Sequence, residues 1–86
     1  MALLCFLSDF GLADTYVAQV KGVVHGLVDG VTVVDATHAI EPGDLVGGAL
    51  ALESLLPHMP PGTVHLAVVD PGVGGPRRPI AVAAAG

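Results

Sequence analysis

The run Ala2-Leu3-Leu4-Cys5-Phe6-Leu7-Ser8-Asp9-Phe10-Gly11 sets the architecture. Positions 2–7 are apolar without a break. A strand with one wet face alternates apolar and polar residues, whereas a strand covered on both faces does not. Residues 2–7 therefore read as a strand covered on both faces, as in a parallel sheet. Ser8, Asp9 and Gly11 then signal a turn.

Working outward, Asp14-Thr15 are good residue types for starting a helix. Val17, Val20, Val24, Leu27 and Val28 follow at helical spacing on one face, with Lys21 and His25 on another. Asp29-Gly30 stops that helix. Val31 to Val34 is a β-branched run and reads as the second strand, ending at Asp35. Residues 37–43 form a connecting loop, and Asp44 can cap a second helix whose stripe is Leu45, Ala49, Leu52, Leu55 and Leu56. Gly47-Gly48 sit inside it at a propensity cost of roughly 1 kcal/mol each against alanine, so the pair predicts close packing on a sheet. Pro57, Pro60 and Pro61-Gly62 turn the chain into a third strand, Thr63 to Val69. A fourth strand is expected from Ile80, after a loop too short for a crossover helix. It is therefore expected to be antiparallel or to lie outside the first sheet. The β-α-β-α-β order predicts an α/β fold: a Rossmann-like parallel sheet with right-handed crossovers.

The 86 residues allow one domain. A domain of that size buries only roughly 60–65% of its unfolded surface. Yet 52% of the residues are hydrophobic and 13% charged. The excess of apolar surface, and the strand-like run at 80–86, predict either a piece of a longer chain or a small subunit covered in an oligomer. The formal charge of -5 argues against a nucleic-acid partner, because little neutralises a phosphate backbone. No apolar run has the roughly 18–20 residues of a membrane span. The single cysteine, Cys5, excludes an internal disulfide and suits a reducing, cytoplasmic compartment.

Three aspartates, Asp9, Asp35 and Asp70, close the three expected parallel strands. Open α/β sheets bind ligands at that edge, so the three carboxylates are expected to converge there. The competing reading is that aspartate simply favours turns and helix caps. Asp9 is suited to a ribose, since a carboxylate accepts both hydrogens of a vicinal diol. Asp70 opens the Gly- and Pro-rich loop Val68-Val69-Asp70-Pro71-Gly72-Val73-Gly74-Gly75-Pro76-Arg77-Arg78-Pro79, and Arg77 can fold back on it. Such a pair either closes a loop or orients a water and stabilises its developing charge. The loop contains no Lys, Ser or Thr and is not a phosphate loop. The four histidines lack metal-ligand spacing. His38 could reach the crevice or be an ordinary loop residue. Cys5 reads as core, and Ser8 lacks an elbow motif or an identifiable base, so it does not read as a hydrolase nucleophile.

Four segments together carry a resemblance: Leu7-Ser8-Asp9-Phe10-Gly11, Asp14-Thr15-Tyr16-Val17-Ala18-Gln19-Val20-Lys21-Gly22, Val33-Val34-Asp35-Ala36-Thr37-His38 and Val69-Asp70-Pro71-Gly72-Val73-Gly74. They resemble the S-adenosyl-L-methionine (SAM) hydrolases that form adenosine, also called SAM hydroxide adenosyltransferases, which are related to SAM-dependent chlorinases and fluorinases. The resemblance implies that residues 1–86 are the front part of an N-terminal SAM-binding α/β domain. The remainder would be the rest of that domain and a C-terminal β-barrel, in a homotrimer with the site at a subunit interface. It implies hydrolysis of SAM to adenosine and L-methionine, with SAM as substrate and no metal or other cofactor. By the same resemblance Asp9 binds the ribose hydroxyls, and Asp14, Thr15 and Tyr16 line the substrate site. Asp70 and Arg77 belong to a catalytic Asp-Arg-His set whose histidine lies beyond Gly86. Fluorinases resemble this pattern with a tyrosine at the position of Asp70 and a halide-associated threonine at Val73, so the sequence resembles the hydrolase branch. A SAM-dependent halogenase and a non-catalytic adenosine-binding module are the alternatives, and the 86 residues alone are expected to be inactive.

Overall fold

The structure, a computed structural model, describes residues 2–72. The expected strand from Ile80, together with Arg77 and Arg78, lies outside the described residues. The element order is β1 (Ala2–Ser8), α1 (Tyr16–Leu27), β2 (Val31–Thr37), α2 (Leu45–Leu55) and β3 (Val64–Val68). A turn of 3-10 helix, Leu56–His58, extends α2. The strands form one parallel sheet in the order β2-β1-β3. The α/β fold class read from the sequence is the one observed.

The unbroken apolar run is the central strand, paired on both edges. Phe6 is 0% exposed, and Cys5, Leu7 and Ser8 are buried beside it. The chain passes from β1 to β2 on one side, then crosses back over β1 to β3 on the other. With right-handed crossovers this reversal puts α1 and α2 on opposite faces. It also makes the β1/β3 boundary the point where the direction of winding switches, which is where open α/β sheets hold their ligands.

Several boundaries differ from the sequence reading. β2 continues through Asp35 to Thr37, so Asp35 stands within the strand and not beyond its end. The register slips after the Phe6–Asp35 pair, so that Leu7 faces Thr37. Thr15 does cap α1 by position, but its side chain makes no capping bond. Its Oγ1 instead accepts from the Gln19 side chain at 2.9 Å. Of the proposed α1 stripe, Val17 is buried and Val20 and Val24 are half-buried, while Leu27 and Val28 are exposed. In α2 the expected leader Leu45 is also exposed, and packing falls on Gly48, Leu52 and Leu55.

Asp44 caps α2 as expected, accepting the Gly47 N–H at 2.9 Å. Gly48 is buried, and a Cβ there would lie 2.9 Å from Cγ2 of Val69. Here the missing side chain brings α2 onto the residue that follows β3. Gly48→Ala should therefore lower the melting temperature of the full-length protein, although alanine is the better helix former. Overpacking of this kind typically costs about 1–3 kcal/mol, more than the propensity gain. Adding Val69→Ala, which removes the obstructing methyl, should recover part of the loss in the same thermal scan.

Candidate functional site

Asp9 and Asp70 follow β1 and β3, the two strands at the winding switch. The β1–β3 pairing runs to Ser8 opposite Val68, and the Asp9 amide continues the ladder by donating to the Val68 carbonyl at 3.1 Å. The two aspartates are thereby delivered side by side. Oδ2 of Asp9 accepts from the Gly43 amide at 2.8 Å and from the Asp70 amide at 3.3 Å. One carboxylate oxygen thus gathers the ends of β1 and β3 and the loop entering α2. Oδ1 takes no part in that clasp. Asp70 turns its own Oδ1 onto the Gly72 amide at 2.9 Å, which shapes the start of the Gly- and Pro-rich loop.

Gly43 fits this junction because it has φ +75° and because a Cβ there would lie 3.2 Å from the Pro71 Cα. Any larger residue would be strained in its own backbone and would press on the loop opposite. Asp9, Phe10, Tyr16, Pro42, Gly43, Val68, Asp70 and Pro71 line an open cavity of about 720 Å³. That volume lies in the range of small-molecule sites, roughly 300–1,000 Å³. Phe10 and Tyr16 form its aromatic side, with ring centroids 6.2 Å apart. Two acidic groups facing an apolar, aromatic wall suit a ligand that carries hydroxyls and a flat ring.

The structure therefore brings together Asp9, Tyr16 and Asp70 of the residues singled out from sequence. Asp14 and Thr15 are exposed and do not line this cavity. Asp14 accepts from the amide of Thr15 at 2.7 Å, a local turn contact. Arg77 lies outside the described residues. Asp35 departs from the expected convergence of three aspartates, because β2 lies on the far side of β1 from β3. Its carboxylate is occupied by Lys21 of α1, through Oδ2, and by Nε2 of His38 at 2.8 Å, through Oδ1. Burial pushes the Asp35 carboxyl up, but the hydrogen bonds of His38 and Lys21, with the charge of Lys21, outweigh burial and hold it below the ordinary 3.8. Asp35, His38 and Gly11 help line a second, smaller hollow of about 390 Å³.

Sequence reasoning missed how far His38 is drawn in. It is 5% exposed, and its Nδ1 lies 2.6 Å from Oγ of Ser8. Ser8 thus has a base beside it, contrary to expectation. However, its side chain is fully buried, which excludes substrate from the hydroxyl. The available signal was the spacing Asp35-x-x-His38 at the end of a strand, where both side chains can return to the same neighbour. Gly43 was also missed; its signal was Pro42-Gly43 directly before the Asp44 cap. Cys5 is 2% exposed, and burial first, then the charge of Asp35, raises its thiol above 9.0, so it is a core residue. Among the described residues no cluster of His, Cys, Asp or Glu is arranged to hold a metal ion. Among them, too, no helix is long and apolar enough to cross a membrane.

Comparison with known proteins places the site in a family context. The SAM hydroxide adenosyltransferase N-terminal domain family matches residues 4–86. An (R)-S-adenosyl-L-methionine hydrolase of Thermus thermophilus is 58% identical over 76 residues, covering 88% of this chain and 30% of that protein. The hydrolase of the same description from Salinispora tropica is 51% identical, over 92% of this chain and 30% of that protein. A fluorinase of Actinoplanes is 36% identical, over 93% and 27%. The crystal structure of a conserved hypothetical protein from Thermus thermophilus superposes with a TM-score of 0.82 at 55% identity, covering 91% of this chain and 33% of that one. The chain thus spans about 30% of the length of the curated hydrolases it matches.

The Asp35–Lys21 ion pair and the His38 hydrogen bond set a pH dependence. A carboxyl held below its unfolded value contributes stability that is present above that value and lost as pH falls through the folded one. Lys21 and Asp35 are partly exposed, so solvent screens the pair and the effect is modest. The melting temperature of the full-length protein should fall as pH drops below 3.8, the ordinary carboxyl value at which that window opens. In Asp35→Asn the melting temperature should be lower at neutral pH and should depend less on pH across that window.

Proposed function

The chain belongs to the SAM hydroxide adenosyltransferase family, and on that premise we propose that its cavity holds the nucleoside part of S-adenosyl-L-methionine for hydrolysis. The observation that carries the reading is the placement of Asp9 and Asp70 side by side at the winding switch, on a cavity with an aromatic wall. The products are adenosine and L-methionine. Oxygen from water bonds to the 5′ carbon, the carbon–sulfur bond breaks with both electrons going to sulfur, and one proton is released. The sulfonium leaves as a neutral thioether and needs no acid.

In this reading Asp9 accepts the ribose hydroxyls through Oδ1 while Oδ2 keeps the backbone clasp. Tyr16 and Phe10 supply a flat apolar surface to the nucleoside, and Asp14 and Thr15 act at the mouth of the site as the turn that leads into Tyr16. Asp70 orients the attacking water, and Arg77 with a histidine from a further part of the protein favours its hydroxide form. Catalysis then rests on in-line positioning and on electrostatics around the nucleophile. A complete site formed with a second domain of a neighbouring subunit in a trimer fits the open side of the cavity. The identity to the Thermus and Salinispora tropica hydrolases, 58% and 51%, against 36% to the Actinoplanes fluorinase, favours water over halide as nucleophile.

The test is incubation of the full-length protein with SAM, with and without chloride, followed by chromatography. Adenosine and methionine are expected in equal amounts, independent of chloride. A 5′-halogenated nucleoside that depends on chloride would replace the reading with halogenation, and adenosine binding without product would replace it with a binding module. Asp70→Asn should lower kcat by about a hundredfold while SAM affinity, measured by calorimetry, changes little. An unchanged kcat would remove Asp70 from the chemistry.

A further inference from the structure

Three successive backbone amides fix the turn that presents Asp9. The Asp9 amide donates to the Val68 carbonyl at 3.1 Å, and the Gly11 amide donates to the His38 carbonyl at 2.8 Å. Between them, the Phe10 amide donates to Oγ of Ser8 at 3.2 Å. The first bond is sheet ladder. The other two depend on His38, one through its backbone and one through Ser8.

The protons along this chain can be assigned. Asp35 is an ionised carboxylate and only accepts, so Nε2 of His38 carries the proton of the 2.8 Å bond. The fully buried Ser8 hydroxyl has Nδ1 as its one acceptor among the described residues, so it donates its proton there and Nδ1 of a neutral ring accepts it. The Ser8 oxygen is left to accept from the Phe10 amide. Lys21 holds the outer oxygen of Asp35 and completes a line from α1 through β2 to β1. The order of contacts is the reverse of a hydrolase triad, in which Nε2 faces the serine and Nδ1 the acid. The His38 ring also packs on Phe6 in a T-shaped arrangement, with centroids 4.7 Å apart and planes at 72°.

We propose that His38 is a positioning residue for the nucleoside site. Acting through Ser8, it locks the Ser8–Gly11 turn so that Asp9 and Phe10 line the cavity. The inference rests on the reading of that cavity as the nucleoside site. His38 touches no substrate in this scheme, and its imidazole works as a fixed acceptor.

Two substitutions separate the two nitrogens. In His38→Asn the amide oxygen falls near the place of Nδ1 and can still accept from Ser8. In His38→Gln the amide falls near the place of Nε2, which keeps the Asp35 contact and loses the Ser8 one. In the full-length protein His38→Gln and Ser8→Ala should each raise KM for SAM about tenfold with kcat within about twofold, and His38→Asn should stay near the parent. A smaller folded fraction would instead lower kcat at constant KM. Equal KM values in the Asn and Gln variants, a parent-like Ser8→Ala, or loss of kcat alone would overturn the proposal. Amide hydrogen exchange supplies a readout independent of turnover. The Phe10 amide should exchange faster in Ser8→Ala and His38→Gln than in His38→Asn, and equal protection in all three would also overturn it. A parent protein that shows this exchange pattern but neither binds adenosine nor consumes SAM would remove the nucleoside reading while leaving the lock on the turn in place.

Discussion

Everything in this structure depends on covering β1 from every side. Its apolar run can leave water only if a strand lies on each edge and a helix on each face. The chain meets that demand by winding out to β2 and then back across to β3. Burial of Phe6, Cys5 and Leu7 is thus a topological requirement as well as a source of stability. The reversal that satisfies it opens a crevice beyond the carboxyl ends of β1 and β3, and that crevice is the cavity bounded by Asp9 and Asp70.

The cavity is held by backbone contacts more than by side-chain packing. Asp9 spends one oxygen on the amides of Gly43 and Asp70 and so ties three separate segments to one point. Gly43 allows the α2 loop to come within reach of Pro71, and Gly48 lets α2 approach Val69. Each of these contacts needs a small residue or a single carboxylate oxygen at one position. A site fixed this way suits the displacement proposed above, in which alignment carries much of the rate.

The polar residues divide into two groups on either side of β1. Asp9 and Asp70 belong to the cavity, while Asp35, Lys21, His38 and Ser8 form a line that anchors the turn from beneath. The division explains why a chain with few charged residues places two of them, Lys21 and Asp35, in an ion pair away from the cavity. A partly exposed pair adds little stability by itself. Its consequence is to fix the tautomer of a buried imidazole and hence the direction of the hydrogen bond to Ser8.

The sequence by itself determined the α/β class, the order of the elements, the coverage of residues 2–7 on both faces and the capping of α2 by Asp44, because periodicity and turn chemistry are local. It also carried the family, through motifs at Asp9, Asp14-Thr15-Tyr16, Asp35 and Asp70. Which strands flank β1 was not legible, since edge pairing depends on the sense of each crossover and leaves no local mark. The tertiary structure therefore decided that Asp9 and Asp70 meet while Asp35 is drawn away. The end of β2 was misplaced because an aspartate that normally signals a turn is held in the strand by Lys21 and His38, partners 14 and 3 residues away. The burial of His38 between Ser8 and Asp35 was hidden for the same reason: a histidine in a loop becomes a core residue only when folding brings it a donor on one side and an acceptor on the other.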